Sequence, residues 1–339
     1  QMILGEHLFS GETAVEVALQ LAYLHFTAPN VNPEAFELMK RRLEASLANQ
    51  AQSPGAVYGE RVRRINTSDH YSARAMQTAD LQNLDPEKML AFYKQAFTNA
   101  ANFTFFFVGT FTVDGVTPLL EQYLGSLPSR GSPDSRKGEM RLQFPKSIVR
   151  ETVSNGQEPR SQTVITFFAD TGLEEMETHR LQAATQVLEL RLRDILREQL
   201  GGTYSVGDNF SNTSPEPGYG VTSEQFGSAP ENVQSLTSAV MTEIPRLRKE
   251  GPSAEDVRAV KESEKNDLQT AMRQNGYWLS SLQAMHLLGR DPKRILQRTE
   301  RAESLTQDNI HAALRKYFPA ERYTEVTLMP ESKPAPVAQ

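Results

Sequence analysis

The chain has 339 residues, of which 38% are hydrophobic and 23% charged, a balance that fits a folded water-soluble protein of two domains. A net charge of -6 without a basic stripe argues against a nucleic-acid binder, and no apolar run approaches the ~20 residues of a membrane span. With no cysteine, disulfides, thiolate metal sites and cysteine nucleophiles are excluded.

The chain starts at Gln1 with no charged-then-apolar leader, which reads as a processed start or as a piece of something longer. Apolar residues at helical spacing follow around Phe36, Met39 and Leu47. The stretch Leu81 to Phe97 places leucines first, then Asp85 at an N-cap position, then an amphipathic helix. Phe103 to Phe111 reads as a strand. Leu127 to Glu139 is dense in proline, glycine, serine and charge, the composition of a linker, and Pro128 to Glu139 should be the most protease-sensitive internal stretch.

Beyond it the spacing predicts strands near Ser147–Val153 and Ser161–Phe168. A long helix from about Glu174 to Leu200 carries Leu181, Ala184, Leu188 and Leu192 on one stripe. Its acidic start, Glu174 to Glu177, reads as a solvated first turn favoured by the helix dipole. Strands over Thr203–Phe210 and Tyr219–Phe226 come next, then several helices and a closing strand. Met76, Met89, Met241 and Met285 read as core filler, and Trp278 as a packing anchor beside Tyr277. The proline- and alanine-rich end from Pro330 reads as an unstructured tail.

Two segments match at an offset of 221 positions. Leu84 aligns with Leu305, Asp85 with Thr306, Ala91 with Ala312, Lys94 with Arg315 and Phe97 with Phe318. Upstream, Phe36, Met39, Lys40 and Leu47 fall on Val257, Val260, Lys261 and Leu268 at the same offset. The second copy is preceded by strand-rich sequence from Ser147 to Gly227 whose counterparts would fall before residue 7, so the first copy should begin partway through its module. The expected organisation is residues 1–127 as one module incomplete at its start, 128–145 as linker, 146–330 as a second module and 331–339 as tail. Strands followed by runs of helices make each module α+β, an antiparallel-rich sheet with helices packed on one face.

The stretch most informative about chemistry is Leu196-Arg-Glu-Gln-Leu-Gly-Gly-Thr-Tyr204. Gly201 and Gly202 stop the long helix and turn it into a strand. Arg197 falls in the last helical turn, where a cation suits the dipole, and Tyr204 follows seven positions later on the strand. Arginine near a helix end and tyrosine on a strand are also ordinary structural choices, and the residues alone leave both readings open.

This stretch resembles the signature of the C-terminal half of the pitrilysin/insulinase-type zinc metallopeptidases, long bacterial members above all. Those proteins carry an arginine and a tyrosine seven residues apart around L-G-x-x-Y. Phe26-Thr-Ala-Pro29, Gly251-Pro-Ser-Ala-Glu-Asp256, Asn275-Gly-Tyr-Trp278 and Leu328-Met-Pro330 extend the resemblance along the chain, which would be the third and fourth of four homologous modules. The resemblance implies a partner catalytic half, in the same chain or a separate subunit, that holds zinc through H-x-x-E-H and a distant glutamate. It further implies that Arg197 and Tyr204 bind the substrate backbone near the scissile carbonyl.

The six histidines (His7, His25, His70, His179, His286, His311) contain no pair at the four-residue spacing of such a zinc site. No metal ligand is therefore expected from this chain, nor any catalytic residue of its own. A phosphate loop and a G-x-S-x-G elbow are equally absent. The expected function is the substrate-binding half of a zinc endopeptidase acting on peptides. The alternative is a non-catalytic family subunit serving assembly or peptide binding. Bacterial relatives of this type suggest the periplasm, and otherwise the cytoplasm.

Overall fold

The computed structural model describes residues 14–134, 141–199, 203–212 and 218–331. Six helices come first: α1 (Ala14–Thr27), α2 (Pro33–Gln52), α3 (Pro54–Asn66), α4 (Thr78–Leu81), α5 (Pro86–Ala96) and α6 (Val113–Tyr123). Strands β1 (Val149–Ser154) and β2 (Ser161–Phe168), helix α7 (Glu175–Arg193) and strands β3 (Thr203–Asn212) and β4 (Gly220–Ser228) follow. The chain closes with α8 (Val233–Glu250), α9 (Ala254–Ala271), α10 (Asn275–Leu287), α11 (Arg298–Glu303), α12 (Gln307–Tyr317) and β5 (Tyr323–Met329).

The offset of 221 positions is written into the helix ends. α3 and α10 coincide end to end under that shift, as do α5 and α12, and α2 and α9 begin together. The caps repeat as well. Asp85 accepts the backbone N–H groups of Glu87 and Lys88, and Thr306 accepts that of Asn309, satisfying donors that the first turn leaves unbonded.

Two compact units result, and they are not contiguous in sequence. Of the described residues, those within 14–48 and 76–134 form one, and those within 49–75 and 141–331 form the other. The segment 49–75, which the sequence reading assigned to the first module, thus packs within the second unit. In the first unit Phe26 of α1 meets Phe97 and Phe103 edge-on, each with ring centroids 4.8 Å away, and Tyr93 stacks on Phe97. Among the described residues, 103–111 forms no strand, against the sequence reading; the strands of the structure all belong to the other unit.

The second unit is built on a five-stranded sheet in the order β1-β5-β2-β4-β3, antiparallel except for the β1–β5 pair. The central strand β2 is buried on both faces. On one, Ile165 and Phe167 join Phe226 and Tyr323 against Leu181, Ala184, Leu188 and Leu192 of α7, the stripe legible in the sequence. α8 and α12 complete that layer. Each fully buried large side chain there contributes about 1.5–3 kcal/mol. On the opposite face Val164 and Val326 pack against Tyr58 and Ile65 of α3. The Tyr58 hydroxyl donates to the Val326 carbonyl at 2.9 Å, and burial pushes its pKa well above the usual tyrosine range.

Turn chemistry explains one of the sequence signatures. Gly251 ends α8 with φ +80°, a conformation that a side chain resists, and a Cβ there would stand 3.0 Å from the His311 ring. Ser253 then caps α9 by accepting the Asp256 N–H, and Asp256 reciprocates to the Ser253 N–H.

The structure departs from the sequence-based expectation at two further places. The acidic start of α7 is engaged rather than merely solvated. Glu175 pairs with Arg294 and Arg301, and Glu177 with Lys316, Arg180 and the Tyr317 hydroxyl, because α12, α11 and the segment before α11 bring cations onto that turn beside α7's own Arg180. Met76 and Met89 are 48% and 44% exposed instead of core, while Met285 is buried as expected. Trp278 donates its indole N–H to the Met272 carbonyl and meets Tyr277 edge-on, which fits an anchor.

Candidate peptide-binding site

The apolar stripe of α7 holds the helix against the sheet as far as Leu192, and Leu196 is buried one turn later. Between these anchors the helix changes pitch. Asp194–Gln199 is π-helical, with one residue more per turn than the backbone prefers. Such local widening is uncommon and recurs at functional positions. Arg197 lies within it.

Strand β3 follows and runs beside α7 at the sheet edge, where β4 is its one strand neighbour among the described residues. Its ladder with β4 slips at the outset. Thr203 faces Ser228 and Ser205 faces Gly227, so Tyr204 is the extra residue of a β-bulge. A bulge of this kind bends the strand and re-aims the side chain of the inserted residue. Arg197 and Tyr204 therefore each occupy a backbone irregularity, one at the close of α7 and one at the opening of β3. Gly201 and Gly202, expected to form the turn, lie outside the described residues, as do the side-chain placements of Arg197 and Tyr204. Arg197 and Tyr204 stand out in the sequence through the family resemblance, while the π-helical segment and the bulge leave no signal there.

The edge of β3 has its own consequence. Backbone N–H and C=O groups on the side away from β4 point outward along an edge strand, a template to which an extended peptide can add as a further strand.

The histidines are used locally. His179 donates from Nε2 to both carboxylate oxygens of Glu264, at 3.0 and 2.9 Å. The His25 and Tyr93 side chains are hydrogen-bonded at 3.0 Å, and the His311 ring bonds the Arg248 carbonyl at 2.8 Å. Among the described residues no three histidine, aspartate or glutamate side chains converge as a metal would require.

Residues 83–264 match the peptidase M16 inactive domain family. The chain is 30% identical over 346 residues to a zinc protease PQQL-like protein of Arabidopsis thaliana, covering 94% of the chain and 36% of that protein. It is 23% identical to the probable zinc protease PqqL of Escherichia coli over 92% of the chain and 34% of that protein. The chain thus spans about a third of the length of these curated relatives. Among solved structures it superposes on the periplasmic protease PqqL of Escherichia coli with a TM-score of 0.78 at 19% identity, covering 94% of the chain and 35% of that one. A peptidase M16 inactive domain from Pseudomonas fluorescens gives 0.78 at 18% identity, covering 97% and 78%. The first half of PqqL also superposes, at 0.75 and 13% identity over 94% of the chain and 71% of that structure.

Proposed function

Given that this chain belongs to the peptidase M16 inactive-domain family, of pitrilysin-like fold, we propose that it is the substrate-binding half of a zinc endopeptidase and works only beside a catalytic half. The observation that carries the reading is the location of Arg197 and Tyr204 on consecutive backbone irregularities at the edge of the sheet. In this reading an extended peptide lies near β3. The Arg197 guanidinium and Tyr204 hydroxyl donate hydrogen bonds to its backbone and to the oxyanion that develops at the scissile carbonyl. Zinc and its activated water belong to the catalytic half, joined in one chain or supplied as a partner. The periplasm, where the PqqL of Escherichia coli resides, is the compartment proposed for this chain.

The test is hydrolysis of a quenched fluorogenic peptide, with and without zinc, by this chain alone and by the chain together with an H-x-x-E-H half. Zinc-dependent cleavage only by the combination supports the reading. Within it, Tyr204→Phe lowers the turnover number by about 10²–10³, the usual loss for one oxyanion donor. Unchanged turnover in a folded variant removes Tyr204 from the site. The family match is to an inactive domain, which favours a second reading, a peptide-binding subunit without any catalytic partner; peptide binding with no hydrolysis in either sample would select it.

A further inference from the structure

The second unit holds a cleft of ≈ 280 Å³ among α7, α9, α10 and the first residue of α11, with His179, Glu264, Asp267, Leu268, Tyr277 and Arg298 on its walls. Two opposite charges there do not pair with each other. Arg298 lays its guanidinium over the Tyr277 ring, 5.1 Å from the centroid, and has no carboxylate partner among the described residues. Asp267 accepts one long contact from the Ser263 hydroxyl at 3.4 Å and has no cation beside it among the described residues. Glu264, by contrast, is already engaged by His179. Buried Leu268 gives the same cleft apolar surface.

A cation, an anion and an apolar wall in one cleft describe a ligand that carries both charges at once. We propose that the cleft binds a short zwitterion, a free dipeptide or amino acid. The Arg298 guanidinium, which lies over the Tyr277 ring and whose donor fork matches a carboxylate, takes the C-terminal carboxylate. Asp267 takes the N-terminal ammonium, and the ligand side chain lies on Leu268. At ≈ 280 Å³ the cleft lies just under the range of about 300 to 1,000 Å³ that serves drug-sized ligands, which suits a smaller molecule. The site uses neither Arg197 nor Tyr204 and stands independently of the function proposed for them.

The experiment is calorimetric titration of the full chain with three probes: leucyl-phenylalanine, its N-acetyl derivative and its C-terminal amide. The free dipeptide binds saturably, and each blocked form binds about tenfold or more weakly, the loss expected for one charge-assisted contact. Arg298→Gln weakens the free dipeptide and erases its advantage over the amide. Asp267→Asn erases its advantage over the N-acetyl form. No saturable binding of the free dipeptide by the unmodified chain overturns the proposal, and so does binding indifferent to both blocking groups. Because the blocked probes test the charges from the ligand side, the outcome does not depend on whether either variant folds.

Discussion

The Thr324 hydroxyl donates to the side-chain oxygen of Asn66 at 2.6 Å, while the Asn66 amide donates to the Thr166 hydroxyl at 3.2 Å. One amide at the end of α3 thereby fastens that helix to β5 and β2 at a point where all three residues are buried. Asn66→Ala strands two buried hydroxyls and should destabilise the second unit by about 2 kcal/mol. Urea unfolding would show a lower midpoint with an unchanged slope; an unaltered midpoint would mean that the hydroxyls find other partners.

Acid stability should depend on Glu177. Its hydrogen bond from Lys316, followed by that from Tyr317, holds the carboxyl below the usual 4.5 against the opposing effect of burial. A carboxyl with a lowered folded pKa stabilises above its unfolded value, and the contribution fades as pH falls through the folded one. Glu177→Gln should therefore be less stable than the parent at pH 7, and the gap should close below pH 4.5. A gap that persists undiminished at pH 3 would assign its effect to packing.

Leu188 is fully buried in the sheet–helix core, whereas Met89 is 44% exposed. Leu188→Ala should cost about 2–5 kcal/mol through lost burial and the cavity left behind. Met89→Ala should stay within about 0.5 kcal/mol, as surface replacements do. Thermal or urea unfolding of both variants checks the contrast, and equal losses would contradict the packing described.

The stretch expected to be protease-sensitive is partly tied down. The Asn99 side-chain oxygen accepts the Arg130 N–H at 3.0 Å, and its amide donates to the Ser132 carbonyl at 2.9 Å. Asn102 adds a bond from its amide to Asp134 at 2.8 Å. Asn99→Ala should speed tryptic cleavage after Arg130 several-fold, read as the rate of nicked product. Cleavage at the parental rate would show that Asn99 does not restrain this segment.

Much of the second unit was legible in the sequence because its signals are local and mutually consistent. The period of α7 survives because its apolar stripe meets one continuous sheet face. The caps at Asp85 and Thr306 were readable because a side chain bonding its own next turn needs no distant partner. Contacts across long sequence separations left no such trace. Nothing in residues 54–66 says that Tyr58 will meet Val326, and nothing in Glu175 announces Arg294 and Arg301. Met89 was misread for a related reason. Its equivalent at the offset of 221, Ile310, is buried beside α7, while on α5 Met89 and Phe92 stay 44% and 73% exposed. At the candidate site Arg197 and Tyr204 were readable through the family resemblance, but residue spacing does not encode the widened turn and the bulge on which they sit.

The placement of α3 separates inheritance from folding. Duplication copied a stretch of sequence, yet the copy boundary is not where the chain comes apart. A protein cut after residue 145 and keeping only residues 146–339 would contain all five described strands but leave Val164 and Val326 facing water where Tyr58 and Ile65 had covered them. Any dissection, recombination or grafting of the second module must therefore carry residues 49–75 along with it, as a strap borrowed from its neighbour.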